Sequence, residues 1–178
     1  MPYSAAAIAN EFIDLAAASG ESLTQMRLQK LVFFAHGWHL AIYGKPLLDE
    51  QVEAWKFGPV IRSLYRELRE SGDKPIRGKI VKWKTTGRFK TPEFTLSEYV
   101  PGLHDHPDKA AETKAFLRRV WDVYRPYTAI QLSNMTHAPG SPWETVYRSY
   151  SGDVPKGTDI PTDTIQRYFE LLAQQPTA

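Results

Sequence analysis

The chain has 178 residues, no cysteine and a formal net charge of +2. A single domain of this length buries roughly 70% of the surface it exposes unfolded, and the lack of cysteine excludes a disulfide scaffold, a thiolate zinc site and a cysteine nucleophile together. So small a net charge excludes a strong overall field steering the protein to nucleic acid or an anionic membrane.

From Met1 to Ala18 no basic start precedes the apolar residues, and Glu11 and Asp14 interrupt them, so no secretory signal is expected and the cytoplasm is the expected location. Ile8, Phe12, Leu15 and Ala16 recur at three- and four-residue spacing after Ser4, which predicts a helix over 5–18 closed by Ser19-Gly20. Ser22-Leu23-Thr24-Gln25 has the form of a capping box, and Leu28, Leu31, Val32, Ala35, His39 and Ile42 then follow one stripe to Gly44 and Pro46. Phe33, Phe34 and Trp38 widen the buried arc, so this helix, over 24–43, is expected at the centre of the core. The apolar run from Leu31 stops at His36, far short of the ~20 residues of a spanning helix, so no membrane partner is expected.

Val52 to Gly58 reads as a compact turn or short extended piece. Pro59 suits the first turn of a helix carrying Ile61, Leu64, Tyr65 and Leu68 to Ser71-Gly72. Over 76–99 the period changes: Val81 and Trp83 alternate with Lys82 and Lys84, Thr85-Thr86-Gly87 has turn chemistry, and Phe94 and Leu96 flank Thr95. Two or three short strands are predicted there, and because a lone hairpin is marginal in water they are expected to lean on the helices. Charge concentrates in the same place. Lys74 to Lys90 holds seven basic residues and no acidic one, leaving fifteen basic against twenty acidic elsewhere.

A helix follows from Pro107 to about Tyr124 on Ala110, Phe116, Leu117, Val120 and Trp121, and Pro126 closes it. Thr128-Ala129-Ile130-Gln131 is a second capping box, opening a short helix that fails near His137-Ala138-Pro139. Ser141-Pro142-Trp143-Glu144 sets an N-cap serine, a proline at the first helical position and a glutamate at the third. After a loop marked by Gly152, Pro155, Gly157 and Pro161, a last helix is predicted on Ile165, Phe169 and Leu172. The expected fold is mainly α with a small β insertion: about seven helices around the central helix 24–43, and a short hairpin or sheet at about 76–99, in one domain over 1–175.

The residues offer no convincing catalytic set. His36 and His39 are three apart on one helix, with Gly37 and Trp38 between them where a metalloprotease helix needs a four-residue spacing and a glutamate. No Gly-x-Ser-x-Gly elbow and no phosphate-cradling glycine loop occur, and Asp49 and Glu50 are expected to be solvated in a loop. No catalytic residue, cofactor or metal is assigned, and the chain is not expected to be an enzyme. The basic segment has two readings. Trp83 and Phe89 among lysines and arginines suit a stacking platform for single-stranded nucleic acid, or they face the helices while the lysines guard an edge. Two aromatics are few for multi-base stacking, and no helix-turn-helix is evident, so nucleic acid is the less favoured partner. Trp55, Phe57, Gly58, Pro59 and Val60 either line a groove for a partner, or Gly58-Pro59 sets a tight helix entry while Trp55 fills the core. His137 and Trp143 either join such a surface, or satisfy a helix C-terminus and fill the core.

Two groups of residues carry a family resemblance. Leu28-Gln29-Lys30-Leu31-Val32-Phe33-Phe34-Ala35-His36-Gly37-Trp38-His39-Leu40, Gly44-Lys45-Pro46-Leu47 and Glu53-Ala54-Trp55-Lys56-Phe57-Gly58-Pro59-Val60 form the first, and Leu132-Ser133-Asn134-Met135-Thr136-His137 with Ser141-Pro142-Trp143 the second. Together they resemble the signature of the Panacea domain, formerly a phage-associated family of unknown function, over nearly the whole chain from Ile8 to Phe169. The resemblance implies an antitoxin that neutralises a cognate protein toxin by direct binding, in a family where one domain type meets many toxin folds. It also implies a second mechanism, since some members are adaptors that deliver the toxin to an ATP-dependent protease. A nucleic-acid-binding regulator acting through 74–90 is the reading from another class. The candidate partner-contact residues are Trp55, Lys56, Phe57, Gly58, Pro59, Lys82, Trp83, Lys84, Arg88, His137 and Trp143.

Overall fold

The computed structural model describes residues 1–175. Among them are seven α-helices and two separate two-stranded antiparallel sheets, the mainly α architecture with a small β insertion that the periodicity predicts. Helix α1 (Ala5–Ala18) starts at Ser4, whose hydroxyl accepts from the Ala7 amide. Helix α2 (Gln25–Tyr43) is capped by Thr24, whose Oγ1 accepts from the Arg27 amide at 3.4 Å, so the cap lies two residues after the expected Ser22.

Helix α2 is buried without a break from Leu28 to Gly37. At 3.6 residues per turn, ten consecutive buried residues leave no open side, which makes α2 the axis of the core. Helices α1, α4 (Ala110–Tyr124), α5 (Ala129–Thr136) and α7 (Thr162–Ala173) pack around it. The α7 contact depends on Gly37: a Cβ built there lies 2.2 Å from the ring of Phe169. With only hydrogen at that point, Phe169 seats its ring edge-on to Phe33 and Trp38, at 5.9 and 5.2 Å between centroids.

Between α2 and the next helix the chain forms a tight hairpin, β1 (Glu53–Trp55) against β2 (Gly58–Val60), with Lys56 and Phe57 at its tip. Pro59 therefore lies in a strand, opposite Ala54, and not in a helical turn; α3 (Arg62–Leu68) begins only after Ile61. A proline φ near −65° suits extended backbone as well as a first helical turn, so composition alone did not decide the matter. The deciding contact is distant in sequence. The Gln29 side chain donates to the Ile61 carbonyl and accepts from its amide, both at 3.1 Å, fixing where the extended chain ends.

The second sheet pairs β3 (Lys82–Thr86) with β4 (Thr95–Tyr99), in register from Lys82 opposite Tyr99 to Thr86 opposite Thr95. Thr85 and Thr86 continue the strand, and the reversal begins at Gly87. The expectation that this hairpin leans on the helices is not met: Trp83 is 63% exposed, Leu96 55% and Phe89 74%. It projects as an arm held by its feet. Buried Asn10 of α1 donates to the carbonyls of Ile80 (3.0 Å) and Pro101 (2.9 Å) and accepts from the Ile80 amide (2.7 Å). A side-chain amide thus completes the backbone pairing that a neighbouring strand would otherwise supply.

Helix α4 starts three residues after Pro107, because a 3-10 turn at Leu103–Asp105 comes first and His106 packs edge-on to Tyr3. The two later caps match the sequence signals. Thr128 and Gln131 exchange both hydrogen bonds of a capping box at the start of α5, and Ser141 accepts from the Glu144 amide at the start of α6 (Pro142–Ser149).

Candidate partner-binding site

The tip of the β1–β2 hairpin is held from beneath by side chains from three helices. Lys30 of α2 is only 2% exposed, yet among the described residues its Nζ has no carboxylate partner and donates instead to the carbonyls of Phe57 and Pro59, each at 3.1 Å. Burial pulls its pKa down to about 7. From α5, the Ser133 hydroxyl lies 3.5 Å from the same Phe57 carbonyl, and Thr136 donates to the Ser133 carbonyl at 2.7 Å. His137 Nδ1 is 2.6 Å from that carbonyl, which can only accept, so the proton sits on Nδ1. From α6, Trp143 Nε1 donates to the Trp55 carbonyl at 2.6 Å, and its ring packs against His137 at 4.1 Å.

Gly58 is the residue that lets these parts meet. Its φ is +103°, and a Cβ there would lie 2.7 Å from Lys30 Nζ, 2.9 Å from Thr136 Oγ1 and 3.3 Å from His137 Cε1. On the flank, Glu53 accepts from Trp55 Nε1 (2.8 Å) and takes two hydrogen bonds from Arg62 (2.6 and 2.9 Å), whose guanidinium holds the carboxyl below its ordinary range. The carbonyls of Trp55, Phe57 and Pro59 are all engaged from below. The Phe57 ring points the other way, 69% exposed, with the Lys56 ammonium 5.5 Å from its centroid.

Seven of the predicted residues thus converge: Trp55, Lys56, Phe57, Gly58, Pro59, His137 and Trp143. Their parts differ from a uniform contact surface. Gly58, Pro59 and Trp143 are buried, Trp55 is half-buried against Tyr65, and His137 is half-buried against α5, so of the seven only Lys56 and Phe57 are exposed to solvent. Lys82, Trp83, Lys84 and Arg88 belong to the arm, a different element, and the exposure of Trp83 there overturns the reading in which the arm's aromatics face the helices. Gln29, Lys30, Ser133 and Thr136 stand in the strings that carry the family resemblance but are not among the candidate contact residues. The available signal was a lysine standing in the apolar run Leu28 to Ala35, where an interior position demands a partner.

Glu50 departs from the solvated carboxylate expected of it. Half-buried, it accepts from the Ala5 amide at the start of α1 (2.7 Å) and from Ser63 Oγ (2.9 Å), and burial together with neighbouring Asp49 pushes its pKa up to about 7. His36, which shares a cavity of about 260 Å³ with that pair, is almost wholly buried, and burial holds its pKa near 4. Among the described residues no group of three His, Asp or Glu side chains is placed to hold a metal, and no helix is long and apolar enough to cross a membrane. What the arrangement does supply is a turn whose carbonyls are engaged by side chains of α2, α5 and α6 while the Phe57 ring is exposed.

Residues 28–144 match the family described as "Antitoxin SocA-like, Panacea domain". The match runs from the first turns of α2 to the first turn of α6, and so includes every element that holds the Phe57 tip. A curated relative, Antitoxin SocA of Caulobacter vibrioides (strain NA1000 / CB15N), is 33% identical over 169 residues, covering 94% of this chain and 82% of the relative. No solved structure matches the chain.

Proposed function

Because the chain belongs to the SocA-like antitoxins of the Panacea domain, we propose that it neutralises a cognate protein toxin by binding it directly, in the cytoplasm and without catalysis, as one domain over 1–175. The carrying observation is the disposition of the Phe57 tip: a buried lysine, the Ser133 hydroxyl and the Trp143 indole hold the turn's backbone, while a large aromatic ring is left in solvent. An aromatic anchor on a backbone that is already ordered loses little entropy on docking, which is the usual profile of an interface hot spot. The Lys82, Trp83, Lys84 and Arg88 arm supplies a second contact with a basic excess, suited to an acidic surface on the toxin.

Co-expression with the product of the neighbouring gene tests this reading. The two proteins are expected to elute as one complex and to relieve the growth arrest caused by the neighbour alone. Failure to associate at micromolar concentrations overturns it. Delivery to an ATP-dependent protease is a further step in the same complex, read separately by following toxin level with and without this chain in the presence of the protease. Faster loss of the toxin marks an adaptor, and an unchanged level marks a plain inhibitor.

A further inference from the structure

We infer that the β3–β4 arm takes an extended segment of its partner as a third strand along β3, and that this segment alternates acidic and apolar residues; the inference deepens the direct-binding reading and rests on it. Among the described residues β3 and β4 pair only with each other, so each keeps an outer row of amide and carbonyl groups free for another strand. Residues directly opposite in an antiparallel pair share a face. Trp83 and Thr85, opposite Glu98 and Leu96, make one face, and Lys82, Lys84 and Thr86, opposite Tyr99, Ser97 and Thr95, make the other. Along β3, one face therefore carries the exposed Trp83 with Leu96 across from it, Glu98 lying on the β4 side, and the other carries Lys82 and Lys84. A strand added to this edge has period-two side chains, apolar over the Trp83 face and acidic over the lysine face.

Charge selects the edge and the occupant. Lys82 and Lys84 lie on β3 while Glu98 lies on β4, so an acidic strand meets opposite charge only along β3. A second copy of this chain would bring the same lysines edge to edge, which is the arrangement that edge lysines prevent. A nucleic acid would engage the cations and leave Trp83 and Leu96 in water on the opposite face, whereas a strand uses both faces. The Asn10 clamp at Ile80 and Pro101 fixes the feet of the arm, so the edge is presented ready-made.

The test titrates the full chain with three labelled peptides, one alternating glutamate and valine, one with the same residues in two blocks, and one alternating lysine and valine, together with single- and double-stranded DNA of random sequence. The alternating acidic peptide is expected to bind at least about tenfold tighter than the blocked one. It is expected to slow amide exchange in β3 and not in β4, and to lose binding in Trp83→Ala and in the Lys82→Glu/Lys84→Glu double variant, each checked for an unchanged circular dichroism spectrum. Equal binding of the blocked peptide, tighter binding of DNA, protection confined to β4, dimerisation through the arm, or no binding of any peptide overturns the inference. If a co-expressed toxin is retained equally by wild type and the arm variants, the strand inference fails while direct binding stands. If the wild type retains no toxin yet binds the peptide, direct neutralisation fails, and with it the toxin as the strand's source, while the arm's capacity to take an acidic strand stands.

Discussion

Lys30 and Phe57 stand on opposite sides of one turn: the ammonium of the first donates at 3.1 Å to the carbonyl of the second, whose ring faces water. A buried lysine without a carboxylate carries a desolvation penalty that two carbonyl acceptors only partly offset. The same amine reaches Pro59, so a single side chain ties the tip and the strand that leaves it to the central helix. The arrangement trades stability for a fixed backbone at the point proposed to meet the toxin.

Replacing Lys30 by methionine exposes that trade. The folded-state pKa near 7 lies below the ordinary lysine value of 10.5, so the unfolded chain binds the proton more tightly between those limits. The stability of the wild type should therefore rise with pH from about 7 toward 10.5 relative to Lys30→Met, with a slope of at most about 1.4 kcal/mol per pH unit, and the difference should level off below 7. Urea unfolding of both proteins across that range measures it, and parallel profiles would show that the amine is not held as described. Toxin affinity should fall in the variant even though Phe57 is intact, because the Phe57 and Pro59 carbonyls lose their donor.

Phe57→Ala separates contact from fold. The exposed ring contributes little to the core, so thermal unfolding should shift by less than about 0.5 kcal/mol equivalent. Affinity for the co-expressed toxin should weaken by roughly 2 kcal/mol or more, the range of an aromatic hot spot. Calorimetric titration decides, and an unchanged Kd would remove the tip from the interface.

The helices were legible because their signals are local. Thr128 with Gln131, and Ser141 with Pro142 and Glu144, specify their caps within four residues, and the crowded apolar arc of 24–43 marks a helix packed on several sides. What stayed hidden is long-range. The Lys30 contacts span 27 and 29 residues and Trp143 reaches back 88, and no periodicity encodes either. The φ of Pro59 fits a first helical turn and a strand alike, and the side chains that fix the strand, Gln29 and Lys30, are distant in sequence. The arm's alternation is the same whether one face is buried or both are wet, so its projection from Asn10 was invisible in sequence, while its charge and its aromatics were plain.

Gly37→Ala should destabilise the protein although alanine favours a helix by about 1 kcal/mol over glycine. The new methyl meets three Phe169 ring atoms at 2.2 to 2.5 Å, and relieving such overpacking costs about 1–3 kcal/mol, more than the propensity gain. The double variant Gly37→Ala/Phe169→Leu should be more stable than the sum of the two single effects, because leucine vacates the ring's space. Additive chemical denaturation midpoints would show that α2 and α7 do not meet at this point.

Glu50 gives an opposite pH signature to that of Lys30. Its pKa, raised to about 7 chiefly by burial and next by Asp49, exceeds the ordinary 4.5, so the folded state binds the proton more tightly between those values. The stability it confers is complete below about 4.5 and is lost as pH rises through 7. Glu50→Gln, neutral at every pH, should flatten that part of the profile and gain relative to wild type above pH 7, as read by thermal unfolding in matched buffers.

Asn10→Leu should release the arm without melting the core. It strips partners from the Ile80 amide and from the Ile80 and Pro101 carbonyls, each of which, left buried and unpaired, costs about 1–3 kcal/mol. Local opening of the feet to water limits the total, so the expected global loss is roughly 2–3 kcal/mol, with amide exchange in β3 and β4 accelerating far more than in α2. Asn10→Asp should behave almost as poorly, since a carboxylate accepts from the Ile80 amide but cannot donate to either carbonyl. Equal acceleration throughout the chain would mean that Asn10 supports the whole fold, while unchanged exchange in the arm would mean that its feet are held by something else.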